Sequence, residues 1–413
     1  MKPLLLAILA LLLLVLQVQA RVVFAHFKAS KSSILPLSIL LTLLAQVVNA
    51  IHHTNDTWED DMNLAMKAHI DAFALNIAYG DRVDKLQVAF DCAKKVNYKL
   101  FFSFDYANDP IGYGPWPMQD VLDLIQQYRK HSAYYLHDGK PFVTSFEGPG
   151  SASDWKTIKQ ETGCYFVPNW SSLGTKKAIQ VGEGIADGFT SWTEWPWGNE
   201  DMNTYLDASY IEALGEMPYM MPVSPWFYAN LPAQKKNWLW RGDDLWYTRW
   251  QQVFYLRPEF VMVISWNGYG ESHYIGPLRG NAYGEFEDTP LNYARGMPHD
   301  GCRLLLPYLI DTYKNGIATI EKEGLVAWYR AQPAIKCSHG NTTLNTAGYF
   351  QYEFPPYMLR DEIFFSALLG SRASVTLLLV IQSFLPIGHT SQKVMLDFTT
   401  VVPVSVDIVV GSM

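Results

Sequence analysis

Phe260-Val-Met-Val-Ile-Ser-Trp-Asn-Gly-Tyr-Gly-Glu-Ser-His-Tyr-Ile-Gly-Pro277 begins as a strand and ends as a loop. Val261, Val263 and Ile264 are β-branched and no Gly or Pro interrupts them, which favours extended backbone. From Trp266 the character changes. Trp266, Asn267, Tyr269, Glu271, His273 and Tyr274 follow, hinged by Gly268 and Gly270. A buried strand that hands rings, an amide and a carboxylate to a flexible loop is how a barrel enzyme presents a site. The plainer reading is an aromatic surface loop. The rest of the chain repeats the pattern and so favours the site.

Working back from this stretch, seven earlier apolar runs read as strands: 21–27, 71–77, 100–105, 141–147, 164–170, 188–192 and 219–224. Helical periodicity fills most intervals, as in Met118 to His131, where Val121, Leu122, Ile125 and Tyr128 share one face. Strands alternating with helices imply a parallel sheet, and eight units close into an α/β fold, the (β/α)8 TIM barrel. Chemistry in such barrels sits at the C-terminal strand ends. Those ends carry Asn76, Asp105, Glu147, Trp170, Trp192, Trp226, Asn267 and Glu271. Each alone is explained by a helix cap or a ladder-end hydrogen bond; their recurrence points to one shared cleft. The later loops are richest, with Trp192, Trp195 and Trp197, then Trp226 and Tyr228, then Arg241 and Asp243. Rings that stack on sugar faces, beside groups that bind hydroxyls, suit carbohydrate. A hydrophobic lid with a surface ion pair is the alternative.

Composition agrees. The 413 residues include 14 Trp and 24 Tyr, and only 17% are charged. The net charge of −8, with no basic run, argues against a nucleic-acid partner. Lys2, the apolar run Leu4 to Leu16 and Val18-Gln-Ala20 read as a signal peptide over residues 1–20, which implies a secreted, extracellular protein. Export permits disulfides, and Cys92, Cys164, Cys302 and Cys337 allow three pairings. Their spacing gives no metal motif. Sequons start at Asn55, Asn169 and Asn341. The catalytic barrel is expected over 21–330, with His299 to Lys314 and Glu321 to Tyr329 as helices of its outer wall. A β-rich, sandwich-like domain, truncated or irregular, is expected over 331–413. An apolar insertion at about 28–45 is the odd feature. Its core, Ile34 to Val48, is about fifteen residues, short of the ~20 that cross a bilayer, and Pro36 interrupts it, so a membrane anchor is disfavoured.

A family resemblance is carried by Val23-Phe-Ala-His-Phe27, Ile70-Asp-Ala-Phe-Ala-Leu-Asn76, Val167-Pro-Asn-Trp-Ser-Ser-Leu-Gly174, Tyr219-Met-Met-Pro-Val-Ser-Pro-Trp-Phe-Tyr228, Trp238-Leu-Trp-Arg-Gly-Asp-Asp-Leu-Trp246 and Gly270-Glu-Ser-His-Tyr-Ile-Gly-Pro277. On these the chain resembles glycoside hydrolase family 71, the fungal endo-α-1,3-glucanases or mutanases. The resemblance implies a barrel with a β-sandwich appendage, no cofactor, a polysaccharide substrate of the fungal cell wall, and a monomer. It also implies inverting hydrolysis, in which an acid and a base stand about 6.5–9.5 Å apart. The family has an Asp and a Glu three residues apart in the loop after the eighth strand. Here the Glu is Glu271, and Gly268 stands in the position of the Asp. Asp105 and Glu147, both at strand ends, are candidates to substitute. Asp71 matches a family Asp linked to activity, yet lies at the start of its strand. Gly268 leaves a second reading, a non-catalytic α-glucan-binding relative. The insertion has no counterpart in the family and is expected to be an intervening sequence that was translated.

Overall fold

In the computed structural model, residues 21–30, 50, 52–80, 85–107, 115–196, 198–231, 236–280, 292–330 and 358–370 are described, with the backbone of three short strands beyond them. The expected signal peptide, the apolar insertion from residue 31 on, Trp197, Cys337 and Asn341 lie outside these residues, whereas Lys28 to Ser30, expected to open the insertion, instead continue the first strand of the barrel.

Eight parallel strands form the barrel. They are β1 (Val22–Ser30), β2 (Ala72–Ala78), β3 (Lys99–Asp105), β5 (Lys140–Phe146), β6 (Tyr165–Asn169), β7 (Phe189–Thr190), β8 (Tyr219–Val223) and β11 (Phe260–Val263). Their order is β3-β2-β1-β11-β8-β7-β6-β5, and the β3–β5 pairing closes the cylinder. These are the eight strands that the sequence implies, with ends shifted by a few residues. The two-residue β4 (Leu136–His137) pairs antiparallel with β5.

Helices α1 (Asn55–Lys67), α2 (Leu86–Val96), α3 (Met118–Tyr128), α4 (Asp154–Thr162), α5 (Thr175–Gly182), α6 (Tyr205–Leu214) and α7 (Leu245–Leu256) lie between the barrel strands in sequence. α1 starts where the Thr54 hydroxyl accepts from the Thr57 amide, with Asp56 favourably placed in the first turn. It buries Trp58, Met62 and Ala65, the i, i+4, i+7 stripe of an amphipathic helix.

The barrel is plugged at its amino end by rings. Phe24 of β1 meets Phe101 of β3 at 4.7 Å and Phe142 of β5 at 5.2 Å, and Phe260 of β11 packs on Phe142 at 5.3 Å. Side chains alternate along a strand. Phe24 is therefore followed on the same face by His26 and then Lys28. β1 thus climbs from an aromatic floor to a buried imidazole to an ammonium at the carboxyl end.

Three features differ from the sequence reading. Glu321 to Tyr329 is not helical: β12 (Gly324–Tyr329) alternates half-buried and exposed residues and pairs antiparallel with β13 (Ile363–Leu369). The second sheet therefore begins before residue 330, ahead of the expected domain boundary. An antiparallel hairpin, β9 (Phe227–Leu231) and β10 (Lys236–Trp240), rises between β8 and α7. It was hidden because its strands lie within a Trp-rich run that reads as a loop. Third, His299 to Lys314 is two helices, α8 (Gly301–Leu304) and α9 (Leu306–Asn315). The three described cysteines, Cys92, Cys164 and Cys302, are buried and unbonded, so no disulfide joins them. No helix among the described residues is long and apolar enough to cross a membrane.

Candidate active site

The loop after β11 folds back on itself. Ser265 N–H donates to His273 O at 3.0 Å and Ile275 N–H to Ser265 O at 2.9 Å. This pairing brings Ser265, Gly268, Glu271 and His273 together. Gly268 N–H donates to Ser265 Oγ at 2.8 Å, Ser265 Oγ lies 2.9 Å from His273 Nδ1, and His273 Nε2 lies 2.9 Å from Glu271 Oε2. With Nε2–H donating to the carboxylate, Nδ1 accepts from the serine hydroxyl, and every link has one donor and one acceptor. Lys28 Nζ donates to the same Glu271 oxygen at 3.1 Å. The ammonium and the imidazole together favour Glu271 as a carboxylate acceptor.

Asn267 locks the last strand to the first. Its Oδ1 accepts from Lys28 N–H at 2.8 Å, and its Nδ2 donates to Lys28 O at 3.0 Å. Trp192 sets its edge against His26 at 5.1 Å and against Phe146 at 4.7 Å. Trp195 lies over His273 at 5.8 Å and 23°. Thr193 and Trp195 also line a cavity of about 390 Å³, with Ser171, Thr175 and Asn203.

Sequence reasoning missed His26, Lys28 and Ser265, all drawn to this centre. For β1 the signal was there: alternation from Phe24 places His26 and Lys28 inside. His26 is buried, and neither ring nitrogen has a partner among the described residues. Burial, aided by the Lys28 ammonium, lowers its pKa to about 3. A folded-state pKa depressed below the unfolded value of ~6.5 means that the unfolded chain binds the extra proton. Stability is therefore intact above ~6.5 and falls as pH drops towards 3, by ~1.4 kcal/mol per unit. His26→Phe is expected to shift acid unfolding, followed by tryptophan fluorescence, to lower pH; an unchanged midpoint contradicts this account.

Several expected site residues are structural instead. Asp71 stands at the amino end of β2, at the opposite end of the barrel from Glu271. It accepts from Val23 N–H at 2.8 Å and from Lys314 Nζ at 2.7 Å, so it ties β1 to α9. Arg241 and Asp243 face the second sheet: Arg241 Nε donates to Met358 O at 2.7 Å, and Asp243 Oδ1 accepts from Arg330 at 2.8 Å. Trp170 is fully buried against Phe166 and Phe189. Trp266, Tyr269 and Tyr274 are 1% exposed, and the two tyrosine hydroxyls donate to Pro277 O and Met297 O. Rings so enclosed cannot stack on a sugar in this conformation.

Others keep the expected end of the barrel. Asn76 lies near the end of β2. Asp105 ends β3 and accepts from Ala107 N–H at 2.9 Å. Glu147 follows β5 and accepts from the Ser172 amide and hydroxyl. Trp226 Nε1 donates to Ser272 O at 2.7 Å, and Tyr228 O accepts from the Ser272 hydroxyl at 2.9 Å, so the hairpin clasps the Glu271 loop. Asn169 is 1% exposed and accepts from Ser171, which leaves this sequon inaccessible to glycosylation in the folded barrel, whereas Asn55 is exposed at the start of α1. Among the described residues no group of three His, Cys, Asp or Glu could hold a metal ion.

A (β/α)8 barrel with a carboxylate held by an ammonium and an imidazole at its carboxyl end, flanked by Trp192, Trp195 and Trp226, has the make-up of a glycoside hydrolase. The sequence pattern of glycosyl hydrolase family 71 matches residues 19–406. A mutanase of Penicillium rubens is 34% identical over 333 residues, covering 78% of this chain and 70% of the relative. The glucan endo-1,3-alpha-glucosidase of Schizosaccharomyces pombe is 33% identical over 352 residues, covering 80% and 78%. The ascus wall endo-1,3-alpha-glucanase of the same yeast is 26% identical over 285 residues, covering 64% of each. The chain belongs to glycosyl hydrolase family 71 and is a glucan-hydrolase-like enzyme by descent.

Proposed function

We propose that the protein is a secreted endo-acting α-1,3-glucanase that cleaves fungal wall glucan with inversion, as a monomer and without a cofactor. The observation that carries this reading is Glu271, held at the barrel's carboxyl end by Lys28 and His273, in a chain whose relatives are named for that activity. In inversion one carboxylate activates water on the face opposite the leaving oxygen. Glu271 fits that role, since its contacts favour the charged form. The apolar run at residues 4–16 supports export. The test is release of reducing sugar from α-1,3-glucan, with β-1,3-glucan as control and the anomer of the first product read by NMR. A β-anomer is expected; an α-anomer overturns inversion, and no release overturns the activity.

The second reading, a glucan-binding relative without activity, rests on Gly268 in the position of the family's Asp. The packing sharpens it. A Cβ at residue 268 would lie 2.3 Å from His273 Cε1, 2.6 Å from His273 Nδ1 and 2.6 Å from Ser265 Oγ. Any side chain there displaces the imidazole that holds Glu271. Both Gly268→Ala and Gly268→Asp are expected to lose ~1–3 kcal/mol in denaturant unfolding, from overpacking. Unchanged stability in either contradicts this packing. Restoring the Asp alone is therefore not expected to improve hydrolysis; activity that appears only in Gly268→Asp supports the binding reading for the natural chain.

A further inference from the structure

The loop that leaves β7 carries a carboxylate with no evident structural task. Glu194 is fully buried. Beyond the pull of its own backbone amide, neither oxygen has a hydrogen-bond partner among the described residues. The loop is held by its neighbours instead. Thr193 Oγ1 donates to Ser191 Oγ at 3.0 Å, and Ser191 Oγ lies 2.9 Å from Tyr219 Oη. Tyr219 in turn donates to Asp207 at 2.9 Å. Nothing in this chain of contacts uses Glu194.

Its position is fixed by the rings beside it. Trp192 meets His26, and Trp195 lies over His273, the partner of Glu271. The segment 192–195 thus arches across the end of the barrel where Glu271 stands. Burial pushes the Glu194 carboxyl well above the ordinary carboxylate range, with help from Glu271 and Asp207 and against the pull of Arg249. An unpartnered buried carboxyl keeps its proton, which is the state a general acid needs.

We infer that Glu194 is the general acid of the hydrolysis, supplying the second carboxyl group that Gly268 cannot. The inference rests on the proposed glucanase activity. In the reaction, Glu271 takes a proton from water as the water oxygen bonds to C1 of the sugar. The C1–O bond to the leaving sugar breaks, and that oxygen takes the proton of Glu194. Glu194 is left as carboxylate and Glu271 as acid, and solvent returns the proton between them.

Glu194→Gln separates this role from a structural one. Turnover of α-1,3-glucan is expected to fall by ~10²–10⁴-fold. Turnover of an aryl α-1,3-glucooligosaccharide with a nitrophenol leaving group, which departs without a proton, is expected to fall by less than about 10-fold. The alkaline limb of the kcat/KM profile is expected to vanish. Equal losses on both substrates, or glucan turnover within about 3-fold of the parent, overturn the assignment. Should Glu194→Gln not fold, the parent's alkaline limb decides: an apparent pKa in the ordinary carboxylate range overturns the assignment, and a raised one supports it. A parent chain inactive on both substrates overturns the glucanase reading along with it.

Discussion

Glu271→Gln is expected to abolish measurable glucan hydrolysis while leaving the fold intact. The amide is isosteric, so the loop of residues 265–276 keeps its backbone pairing. What changes is chemistry. A carboxamide cannot take a proton from water at neutral pH, and the loss of one acid–base partner typically costs ~10²–10⁴-fold. The Lys28 ammonium and the His273 ring also lose a charged acceptor, but each still meets an amide oxygen. Thermal unfolding within a few degrees of the parent, with reducing-sugar release down by at least ~10²-fold, is the expected pair of results. Retention of full activity removes Glu271 from the mechanism.

The largest stability effect is expected behind the barrel wall. Arg249 of α7 is fully buried and grips Asp207 of α6 with two bonds, at 2.8 and 3.1 Å. It also donates to Pro222 O at 2.7 Å and to Gln252 Oε1 at 2.7 Å. Asp207 in turn accepts from Tyr219, whose hydroxyl reaches Ser191. Arg249→Met leaves Asp207 buried without its counter-charge, which costs on the order of 3–5 kcal/mol. The unfolding temperature is expected to drop by roughly 10 °C. Asp207→Leu in the same chain is expected to recover part of it, because no charge then stays stranded. If Arg249→Met is as stable as the parent, the pair is not the clamp described. Activity is expected to fall further than stability alone explains, since the loop carrying Trp192 and Trp195 hangs from the same network.

The barrel was legible because its strands are short apolar runs rich in β-branched and aromatic residues, a local signal. The place of Glu271, in a loop at the barrel's carboxyl end, was legible from the abrupt change after Ile264. The misread residues share a physical cause. Trp170, Trp266, Tyr269 and Tyr274 are rings at strand ends, and only packing decides whether such a ring faces a cleft or a neighbouring strand. Arg241 and Asp243 bind residues 330 and 358, a distance along the chain that no local pattern reports. Glu194 was overlooked among tryptophans, because a carboxylate in a loop is read as solvated. Its significance lies in having no partner, which only a three-dimensional arrangement can reveal.

The Asn267 clamp carries a consequence for the life of the molecule. It joins residues 239 positions apart, and the Lys28–Glu271 contact joins residues 243 apart. At roughly 5–20 residues per second, a ribosome needs about 12–50 seconds to make the segment between them. The first strand therefore waits, unpaired on one edge, until the last has emerged. During that wait the edge is a hazard for mispairing. It is also a safeguard: no partly made chain holds an assembled active centre, so bond-breaking capacity arrives only with closure of the cylinder.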